Sequence, residues 1–167
     1  MTPLGTYSRM SMDRSVLGVS HVRTAFTIHT FLRTCKLTFL RREIIEGRSS
    51  SVFRFSPQPN VMFDEGEEYI ERLTGEIVID AEDHIVTRLS GWPSNVSQAS
   101  VPAVYQTMTR VKDGTWLASV KRINGADYPN LFDNLKHEWS CTYSNYVRFV
   151  SEIKDVKVNQ PPNQQQD

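Results

Sequence analysis

Cysteine is scarce in this chain of 167 residues: Cys35 and Cys141 stand alone, neither in a CxxC pair. That excludes a zinc ribbon, a thioredoxin-type motif and a disulfide framework. The two could meet across a sheet or stay apart as buried free thiols. Long apolar runs are missing, so no segment reads as a membrane-spanning helix. A surplus of either charge is missing too, with 19 Lys and Arg against 19 Asp and Glu. Such a balance excludes a dedicated nucleic-acid partner, which needs basic charge to displace counterions from phosphates. The eight glycines are scattered singly, which leaves no phosphate-cradling loop. The four histidines (His21, His29, His84, His137) show no metal-ligand spacing, and Asp64, Glu65, Glu67 and Glu68 lack that of a calcium loop. No metal and no cofactor is expected.

Catalytic signatures are equally thin. No G-x-S-x-G turn occurs. His84 sits beside the Asp80–Asp83 turn, where a carboxylate–imidazole pair is conceivable, and His137 shares a predicted strand face with Leu135 and Trp139. A solvated turn histidine and a half-buried histidine bonded to a carbonyl are the simpler accounts. The chain reads as a non-enzyme; were it an enzyme, His137 and Asp133 would be the first residues to replace.

Charge that balances overall is uneven along the chain: +6 over residues 1–60, −7 over 61–100 and +1 over 101–167. The acidic stretch lies in two turn-like clusters, Asp64–Glu68 and Asp80–Asp83, which read as solvated carboxylates or a partner-facing patch. Residues 1–20 have no clean period, and Val16–Val19 is too short for the apolar stretch of about 7–15 residues that an export signal needs. Residues 159–167 are polar and contain two prolines, and are expected to be disordered.

Between these ends the pattern is β. Lys36–Ile45 is strand-like and closes on a Glu46-Gly47 turn; Val52, Phe53 and Phe55 form a short apolar strand stopped by Pro57 and Pro59. Gly66–Leu73 suits a helix of two turns at most. Gly75–Asp80 and His84–Leu89 read as one hairpin, with Ile77 and Ile79 on one face and Glu76, Val78 and Asp80 on the other. Ala103–Val111 and Thr115–Ile123 flank Asp113-Gly114, a favoured hairpin turn. There Trp116, Ala118 and Val120 are expected on one face, and Leu117, Ser119 and Lys121 on the other. A last strand near Leu131–Tyr143 aligns Leu135, His137, Trp139, Cys141 and Tyr143. Strands in tight succession with one short helix make the chain mainly β, a meandering antiparallel sheet.

Several segments carry a resemblance. Arg41-Arg42-Glu43 with Gly47-Arg48, then Phe53-Arg54-Phe55-Ser56-Pro57-Gln58-Pro59-Asn60, are similar to an "RRE-x-x-x-GR" run leading into "F-x-F-x-P-x-P-N". Gly75–Asp80 resembles "aGtvwID", Thr87-Arg88-Leu89 the following "aRL", Trp116-Leu117 a "W-L-P" strand with Ala118 in place of proline, and Tyr143–Phe149 a closing "YSDYKKF". These motifs belong to bacterial outer-membrane lipoprotein-sorting proteins with a LolA-like half-barrel fold. The resemblance covers residues 36–149, the C-terminal part of the family domain. It implies a curved antiparallel sheet, incomplete at its N-terminal side, over residues 36–158, behind an unmatched and poorly ordered leader at 1–35. It also implies a periplasmic or cell-envelope location, although no export signal is recognisable and a true start at Met1 would mean the cytoplasm. The implied partner is a lipid or lipoprotein acyl chain, held without chemistry on the apolar concave face. Candidate groove residues, chosen for bulk and alternation, are Phe53, Phe55, Ile77, Ile79, Leu89, Tyr105, Trp116, Val120, Leu135 and Trp139. The alternative is a structural or interaction module, bound to another envelope protein or to itself through an open sheet edge, or a degenerate fragment without a ligand.

Overall fold

A computed structural model describes residues 6–7, 27–132, 138–144, 146 and 148–149. In chain order its elements are β1 (Thr6–Tyr7), helix α1 (Ile28–Thr34), β2 (Cys35–Ile45), β3 (Arg48–Pro57), a 3-10 turn (Glu68–Arg72), β4 (Leu73–Asp80), β5 (Val86–Pro93), β6 (Val104–Arg110), β7 (Trp116–Asn124), β8 (Glu138–Thr142) and β9 (Arg148–Phe149). Two units result. In the smaller, β1 and β9 pair antiparallel, Thr6 opposite Phe149 and Tyr7 opposite Arg148. The larger, residues 10–144, holds β2 to β8 as one unclosed, curved antiparallel meander in strict chain order.

Turn chemistry sets the hairpins. Glu46 and Gly47 both take positive φ, 50° and 79°, the geometry of a two-residue turn whose twist matches its strands. The β4–β5 turn is closed by the backbone amide of His84, which donates to the Asp80 carbonyl at 3.0 Å.

Three bulges interrupt the ladders. Leu40, Thr87 and Ser119 are extra residues, between Phe39 and Arg41, Val86 and Arg88, and Ala118 and Val120. Each moves all later side chains on its strand relative to the partner.

Helix α1 is capped by Thr27, whose Oγ1 accepts the Thr30 amide at 3.2 Å. It runs straight into β2 through Cys35, which is extended at φ −113° and ψ 147°. Its inward face carries Ile28 and Phe31, three residues apart as a helix requires, and Phe31 meets Phe55 edge to face at 5.1 Å. Part of the expected leader, 1–35, is therefore a core element. The short helix of the fold is this one, while Gly66–Leu73 forms only the 3-10 turn, with Tyr69 and Ile70 buried.

Phe55 needs room on the sheet, and Gly75 opposite Gly91 provides it. A Cβ at Gly75 would strike the Ser90 carbonyl oxygen and come within 2.6 Å of the Phe55 ring. The core closes with Leu131 and Phe132, which lie in a turn and not on the last strand as the sequence suggests. Arg72 pins that turn by donating to the carbonyls of Asn130 and Leu131 at 3.1 and 3.0 Å. Cys35 and Cys141 are both buried and free, on the outermost strands of the seven-stranded sheet. Burial pushes the Cys35 thiol pKa up.

Candidate functional site

Register makes the core-side face of the sheet a set of rows crossing all seven strands. One row runs Leu37, Phe55, Gly75, Gly91, Val104, Ile123, Trp139. It is apolar throughout, and α1, the 3-10 turn and the Leu131–Phe132 turn supply the rest of its cluster. The adjacent row runs Phe39, Phe53, Ile77, Leu89, Gln106, Lys121, Cys141. It changes character along its length, from aromatic on β2 to polar on β6 and β7.

Access varies along these rows. Ile77 and Leu89 are completely buried, so the middle of the face is closed. The margin beside it is accessible: Phe39 is 54% exposed, and Phe53, Ile79, Gln106, Met108 and Lys121 are half-buried. Phe39 packs edge to face on Phe53 with ring centroids 5.7 Å apart. Gln106 Nε2 lies 3.7 Å from Met108 Sδ, two residues on along β6. Burial lowers the pKa of the Lys121 ammonium, and the neighbouring Cys141 thiol acts in the opposite direction.

Of the residues proposed from sequence, Phe53, Phe55, Ile77, Ile79 and Leu89 share this face, as does Trp139 opposite Ile123. Phe55, Ile77 and Leu89 lie inside the core, while Phe53 and Ile79 reach the margin. Tyr105 and Val120 stand on the opposite face, because Tyr105 pairs with Ser90 and Val120 with Thr107. The Ser119 bulge is the cause for Val120: it separates Ala118, opposite Met108, from Val120, and puts Lys121 on the apolar side. Leu135, with His137 and Asp133, lies outside the described residues. Phe39, Gln106, Met108 and Lys121 join the strip without having been proposed; cross-strand register brings them there, and only Phe39 and Met108 had bulk as a signal.

Trp116 belongs to a polar clasp. Arg48 donates to both oxygens of Asp80, Nε to Oδ2 at 2.7 Å and Nη2 to Oδ1 at 2.8 Å, and also to Asp83 at 2.8 Å. Trp116 Nε1 donates to Asp83 at 2.7 Å, and Arg110 pairs with the same carboxylate at 3.2 Å. The Arg48 guanidinium holds the Asp80 carboxyl well below the usual carboxylate range, helped by the amides of Glu82 and Asp83. Arg48 thus engages the Asp80 and Asp83 carboxylates of the turn beside His84.

The other acidic cluster lies largely at the surface, with Asp64, Glu65 and Glu68 exposed and Glu67 half-buried. Arg33 of α1 pairs with Asp64 at 2.9 Å and Glu67 at 3.5 Å, and Thr30 Oγ1 donates to Glu67 at 2.9 Å. Asp80, Asp83 and Glu67 thus tie elements together, while Asp64 and Glu82 stay largely solvated. Among the described residues no group of three or more His, Cys, Asp or Glu is placed to hold a metal ion, and no helix is long and apolar enough to cross a membrane. No family model, curated protein or solved structure matches this chain.

Proposed function

We propose that this protein binds the acyl chain of a lipid or lipoprotein, without catalysis, on the margin of its curved sheet, in the manner of the LolA-like envelope carriers that its motifs resemble. The observation that supports this reading most is the Phe39–Phe53 pair, an aromatic contact left 54% exposed on its Phe39 side at the border of the core. An exposed aromatic at the border of an apolar face loses unfavourable hydration when an alkyl chain covers it. Each methylene so buried contributes about 0.8 kcal/mol. The closed middle of the face limits the guest to the margin unless α1 lifts. The test is uptake of Nile red, a neutral apolar dye, by the folded full chain, with mass spectrometry of lipid extracted from protein purified from its native cells. Saturable uptake supports the reading; a folded chain that takes up neither dye nor lipid overturns it.

A second reading rests on β2. It has one neighbour among the described residues, and its Ile44 is 73% exposed. A protein partner or a second copy could add a strand there. Arg41, Arg42 and the Leu40 bulge oppose such pairing, because charge and irregular twist blunt an edge. Dimerisation that rises with concentration, without dye uptake, would favour this second reading.

A further inference from the structure

The open edge of β2 carries a chemical pattern. The strand spans 11 residues and has β3 as its one neighbour among the described residues. Alternate amides and carbonyls along its outer side therefore have no ladder partner. The Leu40 bulge brings Phe39, Arg42 and Ile44 onto one face, across from Phe53, Ser51 and Ser49 of β3. All three are exposed, so the flank of the strand is clear as well. Arg42 makes no ion pair among the described residues, whereas Arg41, on the other face, is engaged by Glu43 and Glu76. Glu46 lies past the end of the strand, and Asp80, Glu82 and Asp83 are held by Arg48. The edge thus presents one uncommitted cation between two apolar side chains.

Resting on the open-edge reading above, we propose that β2 accepts an added strand from an acidic protein segment, whose carboxylate meets Arg42 and whose apolar side chains meet Phe39 and Ile44. Such a segment alternates apolar, acidic, apolar at every second residue, because β3 meets the same three residues at that spacing. Beyond the bulge, Arg41 to Ile45 pairs residue for residue with β3, so that run is regular enough to template a further strand. Facing side chains of an antiparallel pair stand about 4.5–5.5 Å apart, near enough for a carboxylate to bond the guanidinium. The charge that blunts the edge toward a second copy of β2 thereby selects a partner of the opposite sign. Backbone pairing supplies the affinity, and Arg42 supplies the choice.

Two fluorescein-labelled peptides test this by anisotropy against the full chain at low ionic strength: acetyl-Thr-Val-Thr-Glu-Thr-Ile-Thr-amide, and the same peptide with Lys in place of Glu. The Glu peptide is expected to bind about fivefold more tightly, the effect of exchanging a like charge for an opposite one across a strand pair. In Arg42→Glu, at an exposed position where a urea melt checks that the fold persists, the order of the two peptides reverses. Equal affinity for the unsubstituted chain overturns the inference, and this arm needs no variant to fold. An order unchanged in Arg42→Glu, or no binding of either peptide, overturns it as well. Binding without preference leaves the open-edge reading standing, whereas the absence of both peptide binding and dimerisation removes that reading too. Nile red uptake judges the acyl-chain reading separately.

Discussion

Arg48 holds Asp80 by two parallel hydrogen bonds, 2.7 and 2.8 Å long, at a position where the Asp80 side chain is 1% exposed. The pair joins the start of β3 to the end of β4, and through Asp83 it reaches Trp116 at the start of β7. The hairpin ends farthest from α1 are thus fastened by charge, while the region under α1 is fastened by apolar packing.

That clasp predicts a sign for acid sensitivity. The folded-state pKa of Asp80 lies below its unfolded value of about 3.9, so the unfolded chain takes up the proton first. The stabilisation is complete above about pH 4 and drains away as pH falls further. Asp80→Asn is expected to cost about 2 kcal/mol at pH 7, because Arg48 is partly exposed and water screens the pair. Urea unfolding at pH 7, 5, 4 and 3 checks this: the gap between the two proteins narrows below pH 4. A gap that widens there refutes the assignment.

The glycine pair under Phe55 predicts an order of two substitutions. Gly75→Ala meets the Ser90 backbone, which cannot move without breaking the β4–β5 ladder, as well as the Phe55 ring. Gly91→Ala meets side-chain atoms in place of backbone, the Val104 methyl at 2.7 Å and the Phe55 ring at 3.2 Å. Overpacking costs about 1–3 kcal/mol, with Gly75→Ala at or above the upper end and Gly91→Ala at the lower. Thermal unfolding of both variants measures the order.

Thiol accessibility tests the separation of the cysteines. Cys35 and Cys141 are 3% and 5% exposed on different outer strands. Native protein is expected to react slowly with a thiol reagent, and denatured protein to release two equivalents without prior reduction. One equivalent or none after denaturation would reveal a disulfide and contradict this arrangement.

How much of this was legible in the sequence follows from where each signal resides. Turns carry theirs locally: Glu46-Gly47 and Asp113-Gly114 mark both hairpin tips, and the Ile77–Ile79 alternation gives the core face of β4. Bulges carry none, since an extra residue is defined only against a partner strand. Counting outward from Ile45 opposite Arg48, Phe39 would face Arg54; the Leu40 bulge moves it opposite Phe53 and creates the aromatic pair. The Ser119 bulge likewise decides that Lys121, and not Val120, borders the apolar strip. Helix α1 gives little local signal because the β-branched Thr30 and Thr34 dilute its propensity and Thr27 stands before it. Thr27 caps the helix, Thr30 ties it to Glu67, and Thr34 donates to the Thr30 carbonyl at 2.7 Å. Tertiary packing of Phe31 on Phe55 supplies what propensity does not.

The strip makes its own prediction about two phenylalanines on the same face. Phe55 is fully buried beneath α1, so Phe55→Ala leaves a cavity and costs about 3–5 kcal/mol. Phe39 is more than half exposed, so Phe39→Ala removes little buried area and is expected to cost about 1 kcal/mol or less. If the strip binds acyl chains, the order reverses for dye uptake in variants that remain folded. Phe39→Ala loses the aromatic bed and binds Nile red several-fold more weakly, while the conservative Phe55→Leu, which keeps the core filled, binds it nearly as well as the original chain. Parallel urea melts and Nile red titrations separate the two effects. Unchanged dye affinity in Phe39→Ala would move the binding surface off the Phe39–Phe53 margin.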